Sequence, residues 1–154
     1  MRLHLVGIDM NTARKVGQLP NGRNVYVVTG RLNDLCTVVG QPTVPPDPIV
    51  LCGEPLSDTH PATITAHYAV TNDPATHWVV YGLALDGVTS VSFQPTQANG
   101  RPAGPEVTVP VKDNLWIYSS NDVREVDVFQ PVKAHFADGT TVTEPATGKN
   151  CAAC

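Results

Sequence analysis

The chain has 154 residues and a net charge of −4, with 42% hydrophobic and only 16% charged residues. Its length suits one domain with its own hydrophobic core. The ten lysines and arginines are scattered along the chain, which argues against binding to nucleic acid or to an anionic membrane surface. No apolar run reaches the length of a membrane span. Residues 1–9 are too short and too interrupted for a signal peptide, so we expect a cytosolic chain or an exported one without its leader.

The first half of the chain predicts two hairpins. Pro20-Asn21-Gly22 is a strong turn signal between the strand-like segments Arg14–Leu19 and Arg23–Thr29. Next, Asp34–Val39 and the segment ending at Cys52 read as strands on either side of a loop, Gln41–Pro48, that contains four prolines. Each pair of neighbouring strands is expected to run antiparallel.

The second half of the chain also predicts strands joined by short turns. Ala62–Val70 alternates apolar and polar residues with the period of a half-buried strand, whereas Trp78–Leu85 is almost continuously apolar, as a central strand would be. Val107–Lys112 alternates in the same way, and its proline suggests an edge strand or a bulge. Asp-Gly turns separate Trp78–Leu85 from Val88–Phe93 and join Val132–Ala137 to Thr140–Thr143.

These signals together predict an all-β fold, an antiparallel β-sandwich rich in hairpins with little or no helix; a small β-barrel is the alternative. We expect one β domain over residues 1–145. Residues 146–154 are expected to form a flexible C-terminal tail that ends in Cys-x-x-Cys.

The middle third of the chain resembles a pattern in uncharacterised exported β-rich proteins of bacteria. The resemblance rests on Gly82–Val91, a strand with an Asp-Gly-Val turn and a following strand, and on Val109–Leu115, where the pattern of those proteins reads Val-Pro-Val-x-Asp-Asn-aromatic. It implies export and a β domain. No activity is assigned to that family, so it implies no site residues.

The four cysteines are the strongest clue to compartment. If their strands pair, Cys36 and Cys52 can face each other at disulfide distance, and the bond would close a loop of about 15 residues worth roughly 3 kcal/mol. The alternative is a pair of buried free thiols. We predict the disulfide, and with it an extracellular or cell-surface location.

Cys151 and Cys154 leave four interpretations open. They can form a short disulfide ring, or they can be redox-active, although no helix follows them to activate a thiol. They can bind zinc together with Cys36 and Cys52, although the usual second Cys-x-x-Cys is missing. Finally, Cys-Ala-Ala-Cys fits a prenylation frame, with an atypical last residue. We predict the ring.

Trp116 and Tyr118 are the candidate binding residues. Their spacing puts them on one face of a strand, where they could form a platform for a sugar or a peptide, although we favour packing into the core. No catalytic motif stands out. His67 and His135 lie on polar strand faces, where they could meet across a sheet and bind a metal with Asp58 or Asp73, and Asp113 and Asp122 could pair as glycosidase acids. We favour solvated histidines and turn-forming aspartates instead.

The sequence therefore favours a non-catalytic, exported or surface-associated domain for recognition or structure, with a protein or carbohydrate partner and neither cofactor nor metal. Two alternatives remain. One is a self-assembling module of a larger surface or appendage protein; the other is a hydrolase with a dispersed carboxylate site.

Overall fold

A computed structural model describes residues 10–20, 22–30, 35–40, 49–53, 55–63, 66–70, 77–95, 101–102, 104–120 and 131–144. After one 3-10 turn, Met10–Thr12, every regular element in these ranges is a strand. None of the helical structure described there is long enough to cross a bilayer. The strands are β1 Arg14–Gln18, β2 Asn24–Thr29, β3 Leu35–Gly40, β4 Ile49–Gly53, β5 Ala66–Val70, β6 His77–Leu83, β7 Val88–Phe93, β8 Val107–Lys112, β9 Leu115–Ser120, β10 Lys133–Phe136 and β11 Thr141–Thr143.

These strands form two antiparallel sheets. The first has four strands in the order β1-β2-β3-β4, and the second has seven in the order β11-β10-β7-β8-β9-β6-β5. Over the described ranges both sheets are open, each with two edge strands. The predicted all-β, antiparallel, sandwich-like class is confirmed, and the barrel alternative is not adopted.

The chain divides into two compact units between Pro55 and Leu56. Unit 1 contains the four-stranded sheet and unit 2 the seven-stranded sheet. The expectation of a single domain over residues 1–145 stays a prediction. The expected tail, residues 146–154, lies outside the described residues.

Unit 1 is built on the predicted hairpin. The amide of Leu19 donates to the carbonyl of Arg23 at 2.8 Å, and Gly22 turns the chain with a φ of 81°, a conformation that glycine adopts without a steric penalty. β3 lies inside the sheet, and Cys36, Thr37, Val38 and Val39 are all buried. Because consecutive residues of a strand point to opposite faces, both faces of β3 are covered.

In unit 2, β6 is the interior strand that the apolar run predicts. It pairs with β5 on one side and β9 on the other, and Val79–Leu83 is buried throughout. The predicted strand Ala62–Val70 is shorter than expected. Its regular part is β5, while Ala62 makes an isolated bridge to Ala84.

β8 differs from its prediction in an informative way. It is an interior strand, and Pro110 is the last residue paired with β7, opposite Ser90. The next two residues pair with β9 instead. Proline cannot donate to a ladder, so it suits the point where the strand changes partner, as strands do at the corners of β-sandwiches.

One core joins the strands on either side of β8. Its buried residues come from β6 and β9 as well as from β7, β8 and β10 and the segments flanking them: Ala62, Val80, Ala84, Val88, Val91, Phe93, Val109, Trp116, Val132 and Ala134. The register places Val91 beside Val109 and Ala134, so their side chains share one face of the sheet. This shared core holds unit 2 together.

The segments Gly82–Val91 and Val109–Leu115, from which the sequence predicted a family resemblance, meet in this unit. Asp113 and Asn114 form the tight turn from β8 to β9, with φ values of 52° and 67°, as the hairpin turn that twists with its strands requires. The Asn114 side-chain amide donates to the carbonyl of Ala84 at 3.0 Å and to the Asp86 carboxylate at 2.7 Å. The turn at Asp113-Asn114 is therefore hydrogen-bonded to the turn at Asp86-Gly87.

Candidate functional site

The predicted disulfide between Cys36 and Cys52 is present. The two residues are direct partners in the β3–β4 register, with an S–S distance of 2.09 Å and Cα atoms 4.0 Å apart. Cys36 is fully buried and Cys52 is half-buried. The bond fixes β4, an edge strand, to the interior of its sheet. Cys151 and Cys154 lie outside the described residues.

Trp116 and Tyr118 share one face of β9, as predicted, but that face is the core. Trp116 has no exposed surface, and its indole N–H donates to the carbonyl of Thr63 at 3.1 Å. Phe93 packs against Trp116 with ring centroids 5.6 Å apart and meets Tyr118 edge-on at 5.3 Å. Trp116 therefore packs into the core, the role favoured from the sequence, and does not form a platform, because the alternation along β9 turns this large apolar ring inward. Tyr118 is half-buried beside it.

A chain of polar side chains crosses the opposite face of the same sheet, and we call it the hydroxyl cluster: Ser92, Thr108, His135 and Thr141. The Ser92 hydroxyl lies 2.7 Å from Nε2 of His135 and 2.8 Å from the hydroxyl of Thr108. Nδ1 of His135 lies 3.1 Å from the hydroxyl of Thr141. The cluster thus links β8, β7, β10 and β11 through their side chains.

The hydroxyl cluster contains a serine–histidine contact, but its geometry suits structure better than catalysis. Ser92 is only 2% exposed, so a substrate cannot reach its hydroxyl. In a Ser-His-Asp triad the histidine is oriented by a carboxylate, whereas His135 is held by the hydroxyl of Thr141. The cluster therefore satisfies polar groups across four strands. The sequence placed His135 on a polar face but did not reveal Ser92 as its partner, since the two lie 43 residues apart.

A second polar contact joins His60 to Glu144. Nδ1 of His60 lies 2.7 Å from Oε2 of Glu144, whose side chain is 10% exposed against 42% for the histidine. The other carboxylate oxygen, Oε1, is buried and has no hydrogen-bond partner among the described residues. His60 closes a tight turn with Ser57, and Glu144 directly follows β11. The contact ties the start of unit 2 to its last described residue, and no sequence pattern signals it.

The other candidate ligands and acids do not assemble into a site. His67 belongs to β5, but its side chain is outside the described set, as are Asp73 and Asp122. Asp113 is an exposed turn residue, and Asp58 is exposed in the turn between Ser57 and His60. Across the described part of the chain, no three histidines, cysteines or acids are placed to hold a metal ion.

The edges of the four-stranded sheet differ from each other, and this difference defines the candidate site. β1 has exposed Arg14 and Lys15 and an irregular register between Lys15 and Gly17; charges and bulges are the usual protection of an edge strand. β4 carries Ile49, Val50, Leu51, Cys52 and Gly53, with neither charge nor proline. No described strand pairs with its outer side.

In the seven-stranded sheet, β11 is an edge of only three residues, which limits pairing, and β5 is the other edge. Among the described strands, β4 is thus an edge without charge or proline that a disulfide anchors to its sheet, and its outer side is the candidate site. No family model, curated protein or solved structure matches this chain.

Proposed function

We propose that this chain is a non-catalytic, exported or surface-associated β domain that serves in structure or recognition. The observation that carries the proposal is that potentially reactive serine, histidine and cysteine side chains of the described residues form contacts between strands. The serine–histidine contact is buried in the hydroxyl cluster, and two cysteines staple neighbouring strands. Each of these contacts connects neighbouring strands.

The catalytic alternative is tested with an activated-serine probe. We expect a fluorophosphonate to leave Ser92 unlabelled in the folded protein, because that hydroxyl is enclosed. Labelling at Ser92 that disappears in His135→Ala, with the fold retained by circular dichroism, would establish a hydrolase and overturn the non-catalytic proposal. Thr141→Val, which removes only the outer contact of the histidine, is the matched control.

Export is supported by the disulfide, since such bonds persist in oxidising compartments and are rare in the cytosol. The bacterial resemblance points the same way. The test is intact mass after alkylation of protein taken from its native source without reductant. Cys36 and Cys52 should escape alkylation; free thiols at both positions would contradict export.

A second candidate function, the self-assembling module, is favoured by one specific observation: β4 is an uncharged edge strand, and none of the described strands pairs with its outer side. Open edges with a free row of backbone donors and acceptors are templates for another strand. Sedimentation over a wide concentration range tests it: a mass that rises with concentration supports assembly, and a constant monomer mass contradicts it. A protein or carbohydrate partner remains the proposal for the recognition role.

A further inference from the structure

The Cys36–Cys52 pair shows which backbone groups of β4 point away from the sheet. In antiparallel ladders, narrow non-hydrogen-bonded pairs have Cα atoms about 4.5 Å apart and hydrogen-bonded pairs about 5.5 Å. The two Cα atoms here are 4.0 Å apart, which identifies a narrow pair. In such a pair the N–H and C=O groups of both residues point away from each other.

The neighbouring position agrees with this assignment. Leu51 is paired with Thr37, and its carbonyl also accepts a hydrogen bond from the Thr37 hydroxyl at 3.3 Å, so that carbonyl points toward β3. The register is continuous through Val38↔Val50. Because the two kinds of pair alternate, Val50 and Cys52 both direct their N–H and C=O groups outward from β4.

We propose that two copies of this chain pair antiparallel through β4, with the two-fold axis passing at Leu51. Val50 of each copy then faces Cys52 of the other, and each such pair exchanges both of its N–H···O bonds. The two Leu51 residues meet as a narrow pair on the axis. This inference deepens the self-assembly function proposed above and rests on it.

Charge favours a second copy at β4 over the same pairing at the other edge of this sheet. β4 carries no charge, so its pairing with itself brings no like charges together. The same arrangement at β1, centred on Val16, would place Lys15 of one copy diagonally across from Lys15 of the other, within reach of their long side chains, and two like charges there repel. The disulfide holds β4 in place before it pairs, which lowers the entropy cost of docking.

The expected dimer is weak. A pair of five-residue strands buries far less than the ~1,000 Å² that a stable interface needs. Dimerisation should therefore depend steeply on concentration and respond to single changes on β4.

Amide hydrogen exchange on the unmodified protein gives the first test. The amides of Val50 and Cys52 should exchange quickly in dilute solution and slow at least tenfold at millimolar concentration. The amide of Leu51, which bonds to β3, should be protected throughout. Protection of Val50 and Cys52 at every concentration would overturn the proposal, because their edge would then be covered within one chain.

Cross-linking gives the second test. In a chain carrying Cys151→Ser and Cys154→Ser, Leu51→Cys should form an intermolecular disulfide between its two copies, identified by peptide mapping. Thr143→Cys, on the short edge β11, is the matched control and should not cross-link. In the background that retains Leu51, Leu51→Lys should abolish the dimer while the Cys36–Cys52 bond and the circular dichroism stay unchanged.

The outcomes distinguish the proposed β4 interface from the more general proposal of self-assembly. A dimer in sedimentation without the Leu51 cross-link, and without slowed exchange at Val50 and Cys52, overturns the β4 interface but leaves self-assembly intact. A monomer at all concentrations overturns both. Slowed exchange together with the specific cross-link supports both.

Discussion

The packing around Trp116 in unit 2 requires a residue without a side chain at Gly82. This glycine lies opposite Trp116 in the β6–β9 register, under the indole ring. A Cβ atom at this position would overlap the carbonyl oxygen of Thr63 and come within 2.7 Å of the ring. That same carbonyl accepts the indole hydrogen bond. The close approach of β6 to the indole ring and to Thr63 therefore requires glycine here.

We expect Gly82→Ala to lower the free energy of unfolding by about 3 kcal/mol or more, because neither the backbone carbonyl nor the buried ring can move away cheaply. Urea unfolding followed by tryptophan fluorescence measures this change. Gly104→Ala is the matched control: a Cβ there meets nothing within 4 Å, and the change should stay within about 0.5 kcal/mol. Equal effects at the two positions would contradict the packing seen around Trp116.

Asp138 is a residue whose charge stabilises its turn. Its carboxylate accepts a hydrogen bond from the backbone amide of Thr140 at 2.8 Å. That bond, together with one from the Thr140 side chain, lowers the pKa of Asp138 below the ordinary aspartate value. Because the folded-state pKa is depressed, the stabilisation is present above the unfolded pKa of about 3.9 and disappears as the pH falls through the folded value.

We therefore expect the Asp138 carboxyl to titrate by NMR below an unstructured aspartate in the same buffer. We also expect Asp138→Asn to make the free energy of unfolding depend slightly less on pH in the acid range. The effect should be small because the carboxylate is fully exposed. An Asp138 titration at or above the reference value would show that the turn bond does not form in solution.

At the scale of elements, the turn between β8 and β9 carries the next prediction. Asn114→Ala removes both side-chain bonds to the Asp86 turn and places alanine at a φ of 67°. The expected loss of stability is about 2 kcal/mol. Asn114→Gly restores the backbone freedom but not the bonds, so it should cost less; thermal unfolding of the two variants separates the contributions. A larger loss for glycine than for alanine would refute this account.

Several elements were predictable because their signals are local. Pro20-Asn21-Gly22 and Asp138-Gly139 specify turns through the residues of the turn itself, and both hairpins are present. The continuous apolar run of β6 indicated an interior strand, since a strand buried on both faces has no polar face. The prediction that Pro110 marks an edge strand was wrong, because proline indicates only that a backbone donor is missing. Only the sheet order shows that β8 changes partner there.

At the scale of the whole molecule, the disulfide acts within unit 1. The cysteines are 16 residues apart, and closing a loop of this size is worth about 3 kcal/mol. We expect reduction of the Cys36–Cys52 bond to lower the free energy of opening measured by amide hydrogen exchange in β2, β3 and β4 by a similar amount. Amides in β6 and β9, which belong to unit 2, should change much less. Equal loss in both sheets would show instead that the chain unfolds as one cooperative domain, as the sequence suggested.

The candidate site was predictable only in part. The pairing of Cys36 with Cys52 followed from two strand signals around a proline-rich loop. Core packing of Trp116 was favoured from the sequence but not decided by it, because alternation fixes which residues share a face and leaves open which face is covered. The contacts of Ser92 with His135 and of His60 with Glu144 join residues 43 and 84 positions apart, beyond any local pattern.

The sequence by itself determined the class of this protein: its alternation, turn residues and low charge allow strands and hairpins and little else. It also determined the cysteine pair, since neighbouring antiparallel strands bring such residues face to face. Only the tertiary structure decided the sheet order, the inward face of β9 and which of the described strands lie at sheet edges. These depend on contacts between distant segments, which form when buried area offsets the entropy of closing long loops.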